Sequence, residues 1–152
     1  MVFNFEKFRA GQAPKSTENE SKPLVVIIDD DEMNLRVMNQ ILSAEYTTKT
    51  FDSPGDALAY CEAESDRVGV ILADQSMPRM TGLEFFTELN LVDCPASRLI
   101  MTGLHEHREV SDAMERREIF FYLIKPVDVE RLLREMSNAM DDFFRRKDRA
   151  KR

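Results

Sequence analysis

The chain has 152 residues and a net charge of −7, with 43% apolar and 32% charged residues. That length and composition describe one globular domain with room for a terminal tail, and the acidic balance argues against a general nucleic-acid binder. No apolar run approaches the roughly 18 residues a membrane helix needs, the opening residues lack a secretory h-region, and two cysteines, Cys61 and Cys94, make neither a CxxC nor a disulfide framework. A reducing, cytoplasmic setting is the expectation, with both thiols in or near the core.

Residues 1–22 read as a flexible tail: residues 11–22 (GQAPKSTENESK) are polar and without apolar period. Phe3, Phe5 and Phe8 cluster at its start, as either a frayed end or a short docking segment. From Pro23 a regular alternation begins. Residues 24–28 (LVVII) are short, continuously apolar and rich in β-branched side chains, which suits a parallel strand covered on both faces. A helical pattern follows, with Leu35, Met38, Ile41 and Leu42 on one face and the acids Asp31 and Glu32 in its first turn, where the helix dipole favours them. Residues 46–51 form the second strand. Ser53 caps a helix with Pro54 at its first position and Ala57, Leu58 and Cys61 inside. Residues 68–72 (VGVIL) are the third strand, 82–89 a short helix, 98–101 the fourth strand, 106–117 the fourth helix and 119–124 the fifth strand. A long helix starts near Val127.

Five strands alternating with five helices predict an α/β doubly wound domain around a parallel sheet. In such sheets the working site lies at the carboxyl ends of the strands. Strand 1 ends in Asp29-Asp30-Asp31, strand 3 in Ala73-Asp74, strand 4 in Thr102-Gly103 and strand 5 in Lys125-Pro126. The sheet would gather these into one crevice. Adjacent carboxylates repel and raise a pKa unless a cation is present. Oxygen-only donors suit Mg2+, and no His or Cys lies close enough in sequence to favour zinc or iron. A hydroxyl and an ammonium facing that metal would hold the remaining oxygens of a phosphoryl group.

Residues 27–31 (IIDDD), 71–82 (ILADQSMPRMTG), 101–103 (MTG) and 122–126 (YLIKP) together resemble the receiver domain of bacterial two-component response regulators. The likeness covers about residues 23–140. The stretches DQSMPRMTGLEFF and EIFFYLIKPVDVERLL further resemble receivers that precede cyclic-di-GMP phosphodiesterase or similar output domains. The resemblance implies a flavodoxin-like fold with strand order 2-1-3-4-5. It implies Asp74 as phospho-acceptor, a carboxylate nucleophile forming an aspartyl phosphate. Asp30 would bind Mg2+ directly, Asp29 largely through water, and Asp74 and the backbone carbonyl of Ser76 would complete the protein ligands. Thr102 would hydrogen-bond a phosphoryl oxygen, Lys125 would pair with its charge, and Tyr122 would be the aromatic switch. Pro126 would follow a cis bond, and Gly82 would free backbone in the loop after Asp74.

The implied role is a phosphorylation-dependent signalling module and not an enzyme beyond its own phosphorylation and dephosphorylation. Its implied partners are a histidine kinase or histidine phosphotransfer protein, then an output domain or partner protein reached through helix 4, strand 5 and helix 5. Gly103 replaces the commoner Ala; Ser76 and Leu104 sit where the family tunes dephosphorylation; Arg117-Glu118 replaces a frequent Gly before strand 5. His105 and His107 lack further ligands at metal-binding spacing and are expected to be solvated.

A competing chemistry is a haloacid-dehalogenase-like Mg2+ phosphatase, whose strand-end nucleophile and second acid would be Asp29 and Asp31. The following Glu32-Met33 and the lack of room for a cap domain oppose it. In the last helix Val129, Leu133, Met136, Met140 and Phe143 recur at 4-3-4-3 spacing beside Leu132 and Phe144. Its second half should overrun the sheet by about two turns, leaving Met140, Phe143 and Phe144 to seek a partner such as a second copy of the chain. Residues 141–152 form the basic extension: 145–152 alone hold six basic residues and one acid.

Overall fold

The computed structural model describes residues 23–151, which alternate strand and helix from end to end. The elements are β1 (Leu24–Ile28), α1 (Glu32–Leu42), β2 (Thr47–Phe51), α2 (Pro54–Ala63), β3 (Val68–Asp74), α3 (Gly82–Leu89), β4 (Ser97–Thr102), α4 (His107–Glu115), β5 (Phe121–Ile124) and α5 (Val129–Ala150). All neighbouring strands are parallel, in the order β2-β1-β3-β4-β5. This is the doubly wound sheet expected from the alternation, in the flavodoxin-like order that the resemblance implies. Element ends move by a few residues: β3 and β4 each extend to their polar terminal residue, while α4 and β5 start later than their apolar patterns.

The burial pattern follows from strand order. Central β1 and β3 are buried at every position because helices cover both their faces. Edge strand β2 reads TTKTF and is largely exposed, with Lys49 among the residues that discourage edge pairing. Alternate strand residues supply two apolar layers. Val26, Ile28, Ile71, Ala73 and Ile100 pack with residues of α2, α3 and α4. Val25, Ile27, Val70, Leu72, Leu99 and Met101 pack with residues of α1 and α5. Cys61 and Cys94 are both buried and free.

The helix starts are chemically specified. Asp31 caps α1, its Oδ1 accepting from the backbone N–H groups of Met33 and Asn34. Ser53 caps α2 ahead of Pro54. Thr81 and Glu84 form a reciprocal capping box on α3.

The last helix corrects one expectation. Met140 and Phe143 need no partner: they are 8% and 0% exposed, packed into the α1–α5 layer. The helix approaches β3 so closely that a Cβ on Gly69 would stand 2.7 Å from Met140 Sδ. Polar bonds hold the same turn down. Arg146 donates to Asp142 Oδ2, to the carbonyl of Pro95 and to Ser97 Oγ, and Ser97 in turn donates to the Ala139 carbonyl at 2.7 Å. Of the three residues expected to seek a partner, only Phe144, 44% exposed, faces outward.

Arg117, in the turn before β5, has φ of 61°. A left-handed residue with a Cβ is strained by roughly 1–2 kcal/mol, and glycine relieves this at an entropic cost of about 0.5–1 kcal/mol. Arg117→Gly should therefore stabilise the fold by a few tenths to about 1 kcal/mol, read as a rise in the urea midpoint at constant slope. An unchanged or lower midpoint would remove backbone strain as the explanation.

Candidate functional site

The carboxyl ends of β1, β3, β4 and β5 meet in one crevice because parallel pairing aligns them: Ile28 pairs with Ala73, Asp74 with Met101, and Thr102 with Ile124. Backbone bonds carry the alignment past the strands. Asp29 N–H donates to the Phe51 carbonyl at 3.1 Å, Gln75 N–H to Met101 at 2.8 Å and Lys125 N–H to Thr102 at 2.8 Å. The Lys125–Pro126 peptide is cis.

Within the crevice, one carboxylate oxygen each of Asp29, Asp30 and Asp74 lies within 4.8 Å of the others. Asp29 and Asp74 are 1% and 3% exposed, whereas Asp30 faces solvent. Asp29 Oδ1 accepts from the N–H of Asp31 at 3.0 Å, but its buried Oδ2 has no hydrogen-bond donor. Asp74 Oδ1 forms an ion pair with Lys125 Nζ. Lys125 thus serves that Asp74 oxygen, and the donorless oxygen of the group is Asp29 Oδ2. Thr102 is 1% exposed, and its hydroxyl has only a long 3.4 Å contact to the Gly103 carbonyl.

These oxygens are electrostatically unsettled. Burial raises the Asp29 carboxyl from 3.8 to about 6; the Asp31 N–H and Lys125 oppose the rise, and the charges of Asp74 and Asp30 add to it. Burial also raises Asp74, against the stabilising Lys125 ammonium, with Asp30 and Glu106 pushing further upward. The donorless Asp29 oxygen and the crowding of three acids fit a hard, oxygen-seeking divalent cation. The donor set therefore fits Mg2+.

Gly82 has a different role from the one expected of it. Among the described residues no glycine has positive φ. A Cβ on Gly82 would stand 2.8 Å from both the Asp74 backbone oxygen and Ile100 Cδ1. Space, and not backbone freedom, demands glycine, because α3 begins against the carboxyl end of β3. Gln75 completes this joint, accepting from Leu83 N–H at 3.0 Å through its side chain.

Ser76 lies exposed beyond Asp74 and donates through its hydroxyl to Glu106 Oε2. Gln75 and Glu106 are site neighbours that sequence reasoning missed. Gln75 was signalled only by adjacency to Asp74, and Glu106 by its place four residues after Thr102. Tyr122 is outside the acid cluster. It is half-buried on the face shared with Ile100 and helps line a groove of about 510 Å3 with Ser111 and Met114 of α4 and Arg131 of α5. His105 is exposed, and the His107 ring Nδ1 contacts the Leu104 carbonyl; neither joins the acid group. Asp31 is committed to capping α1, which leaves the Asp29-x-Asp31 phosphatase pattern without its second acid in the crevice. Among the described residues no helix is long and apolar enough to cross a membrane. The N-terminal segment with Phe3, Phe5 and Phe8 lies outside the described residues.

Comparison with known proteins agrees with this geometry. A family model described as the response regulator receiver domain matches residues 25–137. The chain is 33% identical over 132 residues to the cyclic di-GMP phosphodiesterase response regulator RpfG of Xanthomonas campestris, covering 82% of this chain and 34% of that protein. It is 30% identical over 120 residues to the C4-dicarboxylate transport transcriptional regulatory protein DctD of Rhizobium meliloti, covering 77% of this chain and 25% of that one. The chain thus spans a quarter to a third of the length of these relatives. Among solved structures it matches an adenylate cyclase from Rhodopirellula baltica with a TM-score of 0.80 at 24% identity, over 86% of this chain and 96% of the other. It also matches the signal receiver domain of an HD domain-containing protein from Pseudomonas fluorescens with a TM-score of 0.76 at 23% identity, over 85% and 94%. Those two likenesses concern the fold. The family match extends over most of the chain and includes every strand end of the crevice: the chain belongs to the receiver domain family of two-component response regulators.

Proposed function

We propose that this receiver takes a phosphoryl group onto Asp74 from a histidine kinase or histidine phosphotransfer protein, and that the resulting aspartyl phosphate reshapes the α4–β5–α5 surface. The observation that supports this most is the buried Asp74 carboxylate, held against Lys125 and beside Asp29 and Asp30. In the transfer a carboxylate oxygen of Asp74 attacks phosphorus. The phosphorus–nitrogen bond of the donor phosphohistidine breaks, and its electron pair leaves with the imidazole. Asp29, Asp30, Asp74 and the backbone carbonyl of Ser76 would hold Mg2+, which supplies positive charge to offset the acids and the phosphoryl oxygens. Lys125 exchanges its contact with the free carboxylate for one with a phosphoryl oxygen. Thr102, whose hydroxyl has no strong partner, donates to another. Chain atoms thus perform orientation and charge balance, the two things an in-line phosphoryl transfer requires.

The signal leaves the crevice through β4 and β5. Thr102 and Tyr122 lie on the same sheet face, with Ile100 paired to Tyr122 and Thr102 to Ile124. Movement of Thr102 toward the phosphoryl group opens space beside Ile100 into which the Tyr122 ring turns. The groove beside α4 then changes shape, and with it the surface that carries exposed Ile124 and Val129. An output domain or partner protein reads that surface. The output of the relative RpfG, named for cyclic di-GMP phosphodiesterase activity, is the kind favoured by the residue likeness around Asp74. The outward residues Val129 and Phe144 of α5 are the positions through which two copies would pair.

Beryllofluoride, which mimics a phosphoryl group, tests the coupling. With Mg2+ it should shift the NMR resonances of Thr102 and the Tyr122 ring together, and light scattering should register any change in oligomeric state. A chain that binds beryllofluoride while Tyr122 and the oligomeric state stay unchanged would place the output surface elsewhere. A ligand that drove the switch from 1:99 to 99:1 would have to favour the active state by about 5.5 kcal/mol, so a smaller preference will show as a fractional shift.

A further inference from the structure

Two loops meet at the rim of the acidic pocket. Ser76, two residues past Asp74, donates its hydroxyl hydrogen to Oε2 of Glu106, which precedes α4. Glu106 occupies the N-cap position of that helix, yet its side chain makes no capping bond. An N-cap side chain ordinarily serves the free amides of the first turn; this one is turned away to Ser76. The charge of Glu106 nonetheless reaches the acceptor, since it is among the groups that push the Asp74 carboxyl upward. Ser76 and Glu106 are both exposed, so their bond competes with water and is weak enough for a nearby charge to break. Beside them lies a pocket of about 600 Å3, lined also by Thr81, His105, Arg108, Glu109 and Asp112. It gives the Glu106 side chain open space, bordered by the Arg108 cation and by two acids.

We propose that the Ser76–Glu106 hydrogen bond is a latch that holds the start of α4 over the acidic pocket, and that negative charge arriving on Asp74 opens it by repelling Glu106. This rests on the reading of Asp74 as phospho-acceptor. An aspartyl phosphate carries more negative charge than the free carboxylate. It pulls Thr102 inward through a hydrogen bond and pushes Glu106 outward through repulsion, so the β4–α4 loop is driven from both ends. Once released, the Glu106 carboxylate stands at the positive end of the α4 dipole, which favours it there. Glu106 is thus a positioning residue acting through Ser76.

Three variants separate the bond from the charge. Ser76→Ala removes the bond and keeps the charge; Glu106→Gln keeps an acceptor and removes the charge; Glu106→Ala removes both. The readouts are the backbone amide resonances of residues 104–110 and the affinity for beryllofluoride at saturating Mg2+. In Ser76→Ala and Glu106→Ala the unliganded amides should already lie toward the positions that the wild type reaches with beryllofluoride, and affinity should rise three- to tenfold. Glu106→Gln should resemble the closed wild type when unliganded, and its loop shift on binding should be less than half as large. A purely structural bond would also separate Gln from Ala without ligand, but it would leave the Glu106→Gln shift on binding at full size. The proposal is overturned if the two bond-breaking variants change only at the substituted residue and bind within twofold of the wild type. It is equally overturned if Glu106→Gln shifts as fully as the wild type. Asp74→Asn is the control. Absent binding by the wild type, or equal binding by Asp74→Asn, removes the acceptor assignment and the latch together. Binding lost only in Asp74→Asn, with latch variants matching the wild type, removes the latch alone.

Discussion

Asp74→Asn, incubated with labelled acetyl phosphate and Mg2+, is expected to take up no phosphoryl label, whereas the wild-type chain takes up one group per molecule. The loss should be complete because an amide carries no charge and its lone pair is delocalised, so the substituted side chain cannot attack phosphorus. The neighbouring acids are poor substitutes. Asp29 is buried with one oxygen engaged by the Asp31 N–H, and Lys125 is paired with Asp74 and not with Asp29. Asp30 lies in solvent, two residues past the end of β1. The substitution also removes one of the charges that raise Asp29, so the variant should melt at the same temperature as the wild type or higher at neutral pH. Intact melting alongside lost labelling separates a missing nucleophile from a missing fold. Undiminished labelling would move the acceptor to another residue.

The second large effect is on stability and concerns the metal-free chain. The Asp29 carboxyl stands at about 6 in the folded protein, against 3.8 in the absence of its surroundings. The folded state therefore holds this proton more tightly than the unfolded state does. Its contribution is fully present below about pH 4 and is lost as pH rises through about 6. A shift of this size corresponds to about 3 kcal/mol. Asp74 is raised in the same direction and adds to the loss. Other carboxylates contribute their own pH dependence, so the difference between wild type and Asp29→Asn isolates the effect. Without metal, Asp29→Asn should gain on the wild type from pH 4 to pH 7 by up to about 3 kcal/mol, measured by urea unfolding. Mg2+ binds the ionised acids, so by mass action it should stabilise the wild type strongly at pH 7 and little at pH 4. Asp30→Ala should lose most of that gain. A difference between wild type and Asp29→Asn that is flat with pH would contradict the burial cost. An equal Mg2+ response in wild type and Asp30→Ala would exclude the acid group as the metal's place.

The two expectations depend on different kinds of information. That Asp29, Asp30, Asp74, Thr102 and Lys125 share a crevice follows from sequence, because each stands just after or at the end of an apolar strand run and a parallel sheet aligns such ends. The helix starts at Ser53 and Gly82 were likewise legible, since capping and apolar spacing act over a few residues. Local patterning could not say how far α5 stays in contact with the domain. The stripe identifies Met140 and Phe143 as one face, but their cover depends on Gly69 and on the anchoring of Arg146 to Pro95 and Ser97, many residues away. The role of Gly82 was decided the same way: proximity of α3 to the Asp74 backbone requires the missing Cβ. The donorless oxygen of Asp29 and the turn of Glu106 toward Ser76 also belong to the tertiary structure alone. Periodicity constrains which way a side chain points. Burial, unmet hydrogen bonds and contacts between loops depend on which distant surfaces close around it, and only the packed fold determines those.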